Sequence, residues 1–379
     1  RAMTAVFDGN FNIENRYDFT NINQCSFTWQ LNKFNLLDST LAKPILSGKC
    51  NAPDIKPHAK GVLNLDLPKN WFSYDALYIT AKDVNQKELF TWSFPISKPN
   101  QISKAIINQA KADAKVSYST SSESFLVKVK NLQIRFNKNT GILESVKNEN
   151  IEIPFNNGPV LQEGANNFKG FTAKMDSDTL VISSVFNKKE SYNTLQWKIY
   201  PNGFIQMKIK YFPGEFYTWF AGVNFSFPET EIKGVIYMGN GPYRVWKNRM
   251  KGTEFGVWQK DYNNTETGEI PFVYPEFKGY HANLYWCKFL TKGQDFKVFA
   301  TDEDTFLRLF TPKFRDDQWH NYVPLFPKGD ISFMQAIPSI GNKTQTAEST
   351  GPMGQKNIFY DYEKSPERAK ELTLYFDFN

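Results

Sequence analysis

The chain has 379 residues, a formal net charge of +6, and 41% hydrophobic and 16% aromatic residues. This length is typical of two domains, and this apolar content suffices for packed cores, which excludes a largely disordered protein. Lysine and arginine occur singly between apolar residues, as on the solvent face of strands, so we expect no nucleic-acid partner. No apolar run approaches the ~18 residues that a membrane-spanning helix needs, so we expect no membrane partner either.

Residues 1–98 carry short strand signals that are separated by turns. Ile13–Ile22 predicts a first strand and residues 25–31 a second, and further runs follow at 62–67, 78–81 and 89–94. Short strands at this spacing over about 90 residues are typical of an immunoglobulin-like β-sandwich. Because strand signals begin almost at residue 1, we expect the chain to be a portion of a longer protein.

A boundary is predicted near Pro99, and residues 99–115 are interpreted as a linker with a helical turn or two. From residue 116 to residue 379, apolar and polar side chains alternate, as in 125–129 and 195–199. Such alternation, without helices between the strands, predicts one large antiparallel β-sandwich. The fold class predicted for the whole chain is therefore all-β.

The cysteines and histidines are too sparse for a disulfide framework or a metal centre. Cys25 and Cys50 could pair within the first domain, although core thiols are the simpler interpretation, and Cys287 would remain single. The three histidines are far apart and form no metal-binding motif: His58, His281 and His320. We therefore predict neither a metal nor a cofactor.

A glycine-rich segment, Gly239–Pro242, follows the apolar run 234–238. A phosphate-binding loop would need a helix N-terminus directly behind its glycines. Here the proline and aromatic residues follow, so the segment predicts a tight bend. That bend could present Tyr243, Trp246 and Arg249 at the rim of a loop.

Aromatic and polar residues occur together around this bend and in later segments, and the combination suits a carbohydrate partner. Sugar C–H faces stack on rings, while sugar hydroxyls need fixed donors and acceptors. The candidate sugar-binding residues are Tyr243, Trp246, Arg249, Trp258, Tyr262, Glu276, His281 and Trp319. Ordinary core packing would explain most of the same rings, so both interpretations stay open.

Candidate catalytic groups are scarce. Glu276 and His281 could form an acid–base pair of the kind that opens and closes sugar rings, although a structural glutamate at a turn is the competing interpretation. Glycosidases need two carboxylates about 5–10 Å apart, and the sequence nominates no such pair. Residues 302–304, all acidic, could hold calcium or form a solvated turn. We predict no catalytic residue and no metal site in this chain.

Taken together, these segments resemble glycoside hydrolase family 2 β-galactosidases over nearly the whole chain. Residues 13–22 followed by 28–31 resemble the Ig-like domain that follows the catalytic barrel in that family. A second stretch resembles the glycine-proline motif of the family's large C-terminal sandwich, through Gly239, Gly241, Pro242, Trp246 and Arg249. A third stretch resembles the segment that follows this motif in the family, through Pro275, Glu276, Gly279, Asn283 and Trp286.

The sequence departs from the family pattern at three places. Tyr243 and Arg244 stand where the family often has an aromatic residue or histidine followed by glutamate. Pro275 replaces the usual glutamine or serine before Glu276, and a tryptophan that the best-known members carry within the stretch matching 337–352 is missing. A sugar-facing wall, if this chain forms one, must use other rings.

The resemblance implies an Ig-like domain at 1–98, a linker at 99–115 and a galactose mutarotase-like β-supersandwich at 116–379. It implies a non-catalytic portion that buttresses the catalytic barrel of a parent chain and rims its sugar site, since the family's catalytic glutamates lie in that barrel. It also allows a homo-oligomer and favours a periplasmic or secreted bacterial protein. Two alternatives stay open: a free carbohydrate-binding module, and a supersandwich aldose epimerase or polysaccharide lyase.

Overall fold

The computed structural model describes residues 9–34, 44–164, 167–186, 192–213, 217–264, 274–312, 325–340, 357–358 and 369–379. The described chain consists mainly of antiparallel β-strands, which confirms the predicted all-β fold. It divides into two compact units. The first unit comprises residues 1–98 with 254–257, and the second comprises residues 99–253 with 258–379.

The first unit is a β-sandwich of a four-stranded and a two-stranded sheet. Its strands are β1 (Asn10–Glu14), β2 (Ser26–Asn32), β3 (Pro44–Cys50), β4 (Lys60–Asn64), β5 (Ala76–Lys82) and β6 (Glu88–Pro95), with 3-10 turns at Ile22–Gln24 and Trp71–Ser73. The larger sheet has the order β3-β2-β5-β6, and β1 pairs with β4 in the smaller one. Alternate residues of the two central strands, β2 and β5, are buried, as half-buried strands require.

The strand predicted over Ile13–Ile22 is only partly correct, because β1 ends at Glu14 and an irregular segment follows. The buried Asn15 amide donates to the carbonyl oxygens of Thr20 and Ile55, both at 2.9 Å. Its Oδ1 accepts a hydrogen bond from the Tyr17 N–H at 3.0 Å. These side-chain bonds turn the backbone away from the sheet, as asparagine commonly does.

The second unit begins with a helix, α1 (Pro99–Gln109), and continues as β-structure. Its strands are β7 (Ser117–Thr120), β8 (Ser124–Val129), β9 (Leu132–Asn137), β10 (Leu143–Asn148), β11 (Ile151–Ile153), β12 (Asn156–Leu161), β13 (Phe168–Asp176), β14 (Thr179–Phe186), β15 (Tyr192–Ile199), β16 (Ile205–Tyr211), β17 (Tyr217–Thr218), β18 (Ala221–Ser226), β19 (Ile232–Val245), β20 (Glu254–Asp261), β21 (Gly279–Thr291), β22 (Phe296–Ala300), β23 (Phe306–Leu309), β24 (Ile331–Ala336), β25 (Asn357–Ile358) and β26 (Lys370–Asp377), with a 3-10 turn at Glu229–Glu231. Of β20, residues 254–257 belong to the first unit and residues 258–261 to the second. The strand pairs that the structure describes in this unit are antiparallel, and β26 pairs with both β16 and β22.

The helix α1 lies within the segment that the sequence predicts to be a linker. It has 11 residues, which is more than the turn or two that its composition indicates. Pro99 occupies its first position, where a missing N–H is tolerated. Ile102 and Ile106 lie one turn apart on its buried face, and the helix packs against β21 and β22.

Aromatic rings fill much of the core of the second unit, and this explains the high aromatic content. The ring of Phe155 is fully buried, and its centroid lies 4.5 Å from that of Phe225 and 5.1 Å from that of Phe296. Trp197 and Phe376 belong to the same core, with centroids 6.0 Å apart. Trp197 comes from the alternating run 195–199 that the sequence predicts to be a strand, whereas Phe155 lies between β11 and β12.

Candidate functional site

The glycine-rich bend lies within β19, where β19 pairs with β21. Asn240 is opposite Ala282 and Val245 is opposite Tyr280, so residues 241–244 bulge out of the ladder. We call residues 241–244 the β19 bulge. A Cβ atom on Gly241 would lie 2.6 Å from a ring carbon of Trp258, so this close approach requires glycine. Bulges of this kind re-aim side chains, and here the exposed side chain is Tyr243, at 46% exposure.

Trp246 and Arg249 close a tight turn directly after the bulge. The Arg249 N–H donates to the Trp246 carbonyl oxygen at 2.8 Å, while the side chain of Arg249 is exposed. The Trp246 ring is buried, with its centroid 5.3 Å from that of Tyr280 and 5.1 Å from that of Phe326. Trp246 therefore packs inside the second unit, and Arg249 faces solvent.

Trp258 and Tyr262 are half-buried and hydrogen-bonded to neighbouring strands and turns. The Trp258 Nε1–H donates to the carbonyl oxygen of Gly239 at 3.2 Å, directly before the bulge. The Tyr262 hydroxyl donates to Glu229 Oε1 at 2.6 Å. Burial raises the pKa of Tyr262, and the neighbouring Glu229 raises it further. Trp258 thus supports the backbone next to the bulge, and Tyr262 anchors to the 3-10 turn that precedes β19.

Arg244 of the bulge belongs to a group of mostly buried charged side chains that we call the buried ion cluster: Arg244, Lys260, Glu276, Lys278 and the partly exposed Glu229. Arg244 Nη2 lies 3.4 Å from Glu276 Oε1, and Lys278 Nζ lies 2.6 Å from Glu229 Oε1. Lys260 Nζ donates to the backbone oxygen of Glu276. Burying charges is costly unless they are paired, so these ion pairs and hydrogen bonds are needed for the cluster to persist.

Burial shifts the ionisation of the cationic members of the cluster. It lowers the pKa of Lys260 to about 7, an effect that Glu276 opposes and Arg244 strengthens. It also lowers the pKa of Arg244, although the adjacent Glu276 partly restores it. The carboxylate of Glu276 therefore stabilises both cations.

His281 is fully buried next to this cluster. Its Nε2 lies 3.1 Å from the carbonyl oxygen of Phe277, and its Nδ1 has no hydrogen-bond partner among the described residues. Burial, together with the nearby Lys260 ammonium, lowers the pKa of His281 well below its usual value, so the imidazole is neutral. An acid–base pair of Glu276 and His281 would need an accessible imidazole, and this one has none of its surface exposed.

The structure separates the candidate sugar-binding residues by accessibility. Tyr243 and Arg249 are exposed, Trp258 and Tyr262 are half-buried, and Trp246, Glu276 and His281 are buried. Trp319 lies outside the described residues. Sequence reasoning missed the buried lysines, Lys260 and Lys278, because nothing in their local pattern separates a buried lysine from one on a solvent face.

The structure also shows the state of the three cysteines and of the acidic run at residues 302–304. Cys25, Cys50 and Cys287 are free thiols; Cys25 and Cys287 are buried, as the core-thiol interpretation expects, and Cys50 is half-buried. The acidic run forms a turn in which Asp302 Oδ2 accepts from the Thr373 N–H at 2.8 Å.

In the part of the chain that the structure describes, no group of three histidine, cysteine or carboxylate residues could hold a metal ion. None of the described helices is long and apolar enough to cross a membrane.

Two known protein families match successive parts of the chain. Residues 11–93 match the family described as "Beta-galactosidase, domain 4", and residues 128–321 match the family described as "Beta galactosidase small chain". The second match covers 194 of the 379 residues, which is more than half of the chain. No curated protein matches the chain. The chain belongs to the β-galactosidase small-chain family, and it carries domains of the C-terminal region of a β-galactosidase-like protein of glycoside hydrolase family 2.

Proposed function

We propose that this chain is the non-catalytic portion of a β-galactosidase-like enzyme that hydrolyses terminal β-glycosidic bonds. In this role it buttresses the catalytic barrel of the parent protein, with an Ig-like domain at 1–98, a linker at 99–115 and a galactose mutarotase-like supersandwich at 116–379. The observation that carries this proposal is the match to two β-galactosidase domain families. The domain 4 match precedes the small-chain match along the chain, which is the order that the resemblance implies for the Ig-like domain and the large sandwich. A homo-oligomer and a periplasmic or secreted location remain predictions from the resemblance.

The chemistry of the candidate carboxylate supports a non-catalytic role. A glycosidase must place two carboxylates on either side of an accessible glycosidic bond. Glu276 is instead buried beside Arg244, and its backbone oxygen accepts from Lys260. A buried carboxylate that is paired with Arg244 is not available to protonate a leaving group or to attack a sugar carbon.

We place the sugar-facing part of the proposed rim at Tyr243 and Arg249. An exposed tyrosine ring can stack on the C–H face of a sugar, and an exposed guanidinium can donate to its hydroxyls. The remaining described candidates would act beneath them: Trp258 and Tyr262 hold the backbone, and Trp246 fills the interior after the bulge. In this proposal Tyr243 and Arg249 contact the sugar, and the buried and half-buried residues support them.

The central test is a turnover assay with aryl β-galactosides. We expect no detectable release of the aryl group by the purified 379-residue chain. When a separately purified catalytic portion of the parent protein is added, we expect the two to co-purify and the activity of the mixture to exceed that of the catalytic portion alone. Turnover by the chain alone would contradict the proposal, and so would a catalytic portion that neither binds the chain nor gains activity from it.

A free carbohydrate-binding module is the second candidate, and the exposed Tyr243 in the β19 bulge is the observation that favours it. This function predicts that galactosides bind the isolated chain in a calorimetric titration. Tyr243→Ala should then weaken binding roughly two- to tenfold, because stacking on an aromatic ring provides about 0.5–1.5 kcal/mol. Tyr118→Ala is the matched control, since Tyr118 is equally exposed in the same unit, at 45%. Absence of any binding heat would exclude this candidate.

A further inference from the structure

The turn that follows the β19 bulge, which we call the cationic turn (residues 246–251), carries an excess of positive charge. Residues 239–253 contain no aspartate or glutamate and four cationic residues: Arg244, Lys247, Arg249 and Lys251. Arg244 is neutralised, because its Nη2 lies 3.4 Å from Glu276 Oε1. Arg249 and Lys251 are exposed, and neither forms an ion pair with a carboxylate in the part of the chain that the structure describes.

Hydrogen bonds to residues 338–340 hold the cationic turn in place. Asn248 Nδ2 donates to the Ile340 oxygen at 2.7 Å, and Asn248 Oδ1 accepts from the Ile340 N–H at 3.0 Å. The Lys247 N–H donates to the Pro338 oxygen at 3.0 Å. The backbone that carries Arg249 is thus fixed before any ligand arrives, which lowers the entropic cost of binding one.

Two exposed tyrosines lie close to Arg244 in the bulge. Tyr243 precedes it in sequence and is 46% exposed, and Tyr274 is 64% exposed. Burial lowers the pKa of Arg244, while Glu276 and Tyr274 oppose this shift, so Tyr274 lies near the guanidinium. The Arg244 stem passes over Gly279, where a Cβ atom would lie 2.9 Å from Arg244 Cδ. The bulge therefore combines two accessible aromatic rings with the cationic turn that follows it.

Aromatic rings and cations together suit a saccharide that carries negative charge. The rings can stack on the C–H face of a sugar. A guanidinium or an ammonium group forms charge-assisted hydrogen bonds with sulfate or carboxylate oxygens, and these are roughly twice as strong as neutral ones. A neutral galactoside would use the rings but would gain nothing from the excess charge.

We propose that the β19 bulge and the cationic turn bind acidic saccharides, that is, galactosides that carry a sulfate ester or a carboxylate. This inference rests on the proposed function and names the substrate class of its sugar-facing rim. Tyr243 and Tyr274 contact the sugar ring, and Arg249 and Lys251 hold the anionic substituent. Arg244 remains paired with Glu276 and fixes the bulge from below.

Calorimetric titration of the full chain tests this proposal with two matched probes, methyl β-galactoside and the same sugar sulfated on its primary hydroxyl. We expect the sulfated probe to bind roughly three- to tenfold tighter at low ionic strength, since each exposed ion pair contributes little by itself. Added salt should reduce this preference, because it screens exposed charges. A methyl β-galacturonide distinguishes the two acids: a preference for either acidic probe over the neutral one supports the inference and identifies the anionic group.

The double variant Arg249→Gln with Lys251→Gln should bind the acidic and neutral probes equally. Lys128→Gln with Lys174→Gln is the matched control, because it removes the same two charges from exposed lysines elsewhere in the second unit and should keep the preference. A preference that survives in the Arg249 and Lys251 variant would overturn the proposal.

Three other outcomes would also overturn it. Equal affinity of the parent chain for the acidic and neutral probes would leave a sugar rim without selectivity for charge. Inorganic sulfate that binds as tightly as the sulfated galactoside would show an adventitious ion only. Absence of binding by every probe would leave an acidic protein surface as the candidate partner of the turn. The buttressing role is decided separately, by co-purification with the catalytic portion, so the two proposals can fail independently.

Discussion

Replacing Arg308 by methionine is expected to destabilise the second unit by about 2–4 kcal/mol. Arg308 is fully buried on β23, and burial lowers the pKa of its guanidinium to about 10. Its Nη1 donates to the Gly329 oxygen at 2.7 Å and to the Asp330 oxygen at 3.3 Å. Its Nη2 donates to the Pro327 oxygen at 3.1 Å and to the Lys328 oxygen at 2.9 Å.

The size of this effect follows from what the substitution leaves behind. The Pro327 oxygen still accepts from the Thr311 hydroxyl and the Asp330 oxygen from the Phe310 N–H, but the Lys328 and Gly329 oxygens lose their charged donor. Each acceptor left without a partner costs about 1–3 kcal/mol, less whatever water recovers. These carbonyls form the segment that leads into β24, which pairs with β23 opposite Arg308. We therefore expect the loss to loosen the entry into β24 as well.

Chemical denaturation provides the measurement. Arg135→Met is the matched control, because Arg135 is an exposed strand residue of the same unit and its replacement should change the free energy of unfolding by less than about 0.5 kcal/mol. Arg308→Lys should lose most of the same stability, since one ammonium group cannot reproduce the planar fork of donors. An Arg308→Met chain as stable as the Arg135→Met chain would show that the four bonds are dispensable.

The strand framework of this chain could be predicted from sequence because it depends on local alternation. Runs such as 125–129 and 195–199 show the period of two that a half-buried strand requires, and both are strands in the structure. The opening segment shows the limit of this method. The Asn15 side chain bonds to Ile55, which is remote in sequence, and alternation contains no information about such a partner.

The candidate site was harder to predict, because accessibility depends on residues that are remote in sequence. Trp246 looks like a rim residue from its neighbours, but Tyr280 and Phe326 cover it. Lys260 looks like a solvent-facing lysine, but its ammonium group lies against the backbone of Glu276. In both cases the side chain that decides the environment comes from another strand or loop. Tyr243 stayed identifiable because glycines and a proline mark the bulge locally.

The stability of the second unit is expected to rise with pH above about 7, and Lys260 is the cause. In the unfolded chain this lysine keeps its proton up to its ordinary pKa of 10.5, whereas burial lowers the pKa in the folded chain to about 7. Between these two values the unfolded state therefore binds one more proton than the folded state. The free energy of unfolding must then increase with pH, by at most about 1.4 kcal/mol per pH unit.

The charge of Lys260 at the two ends of this pH range explains why the free energy of unfolding rises with pH. Below pH 7 both states carry the charged ammonium, so the folded chain bears the full cost of burying it. Above pH 10.5 both states are neutral and the cost is absent. The rise should amount to about 2 kcal/mol between pH 7 and pH 9. Measurements should stop near pH 9.5, since buried tyrosines such as Tyr262, whose pKa is raised, change stability in the opposite direction at higher pH.

Lys260→Met isolates this contribution. The methionine fills a similar volume without a charge, so the variant should be more stable than the parent chain at pH 7, and the difference should shrink as the pH rises toward 9. Lys233→Met is the matched control, because Lys233 is an exposed lysine on the adjacent strand β19, and its replacement should leave the pH dependence unchanged. Urea unfolding at pH 7, 8 and 9 measures all three proteins. A Lys260→Met chain whose stability follows the same slope as the control would mean that the ammonium group is not confined within the buried ion cluster.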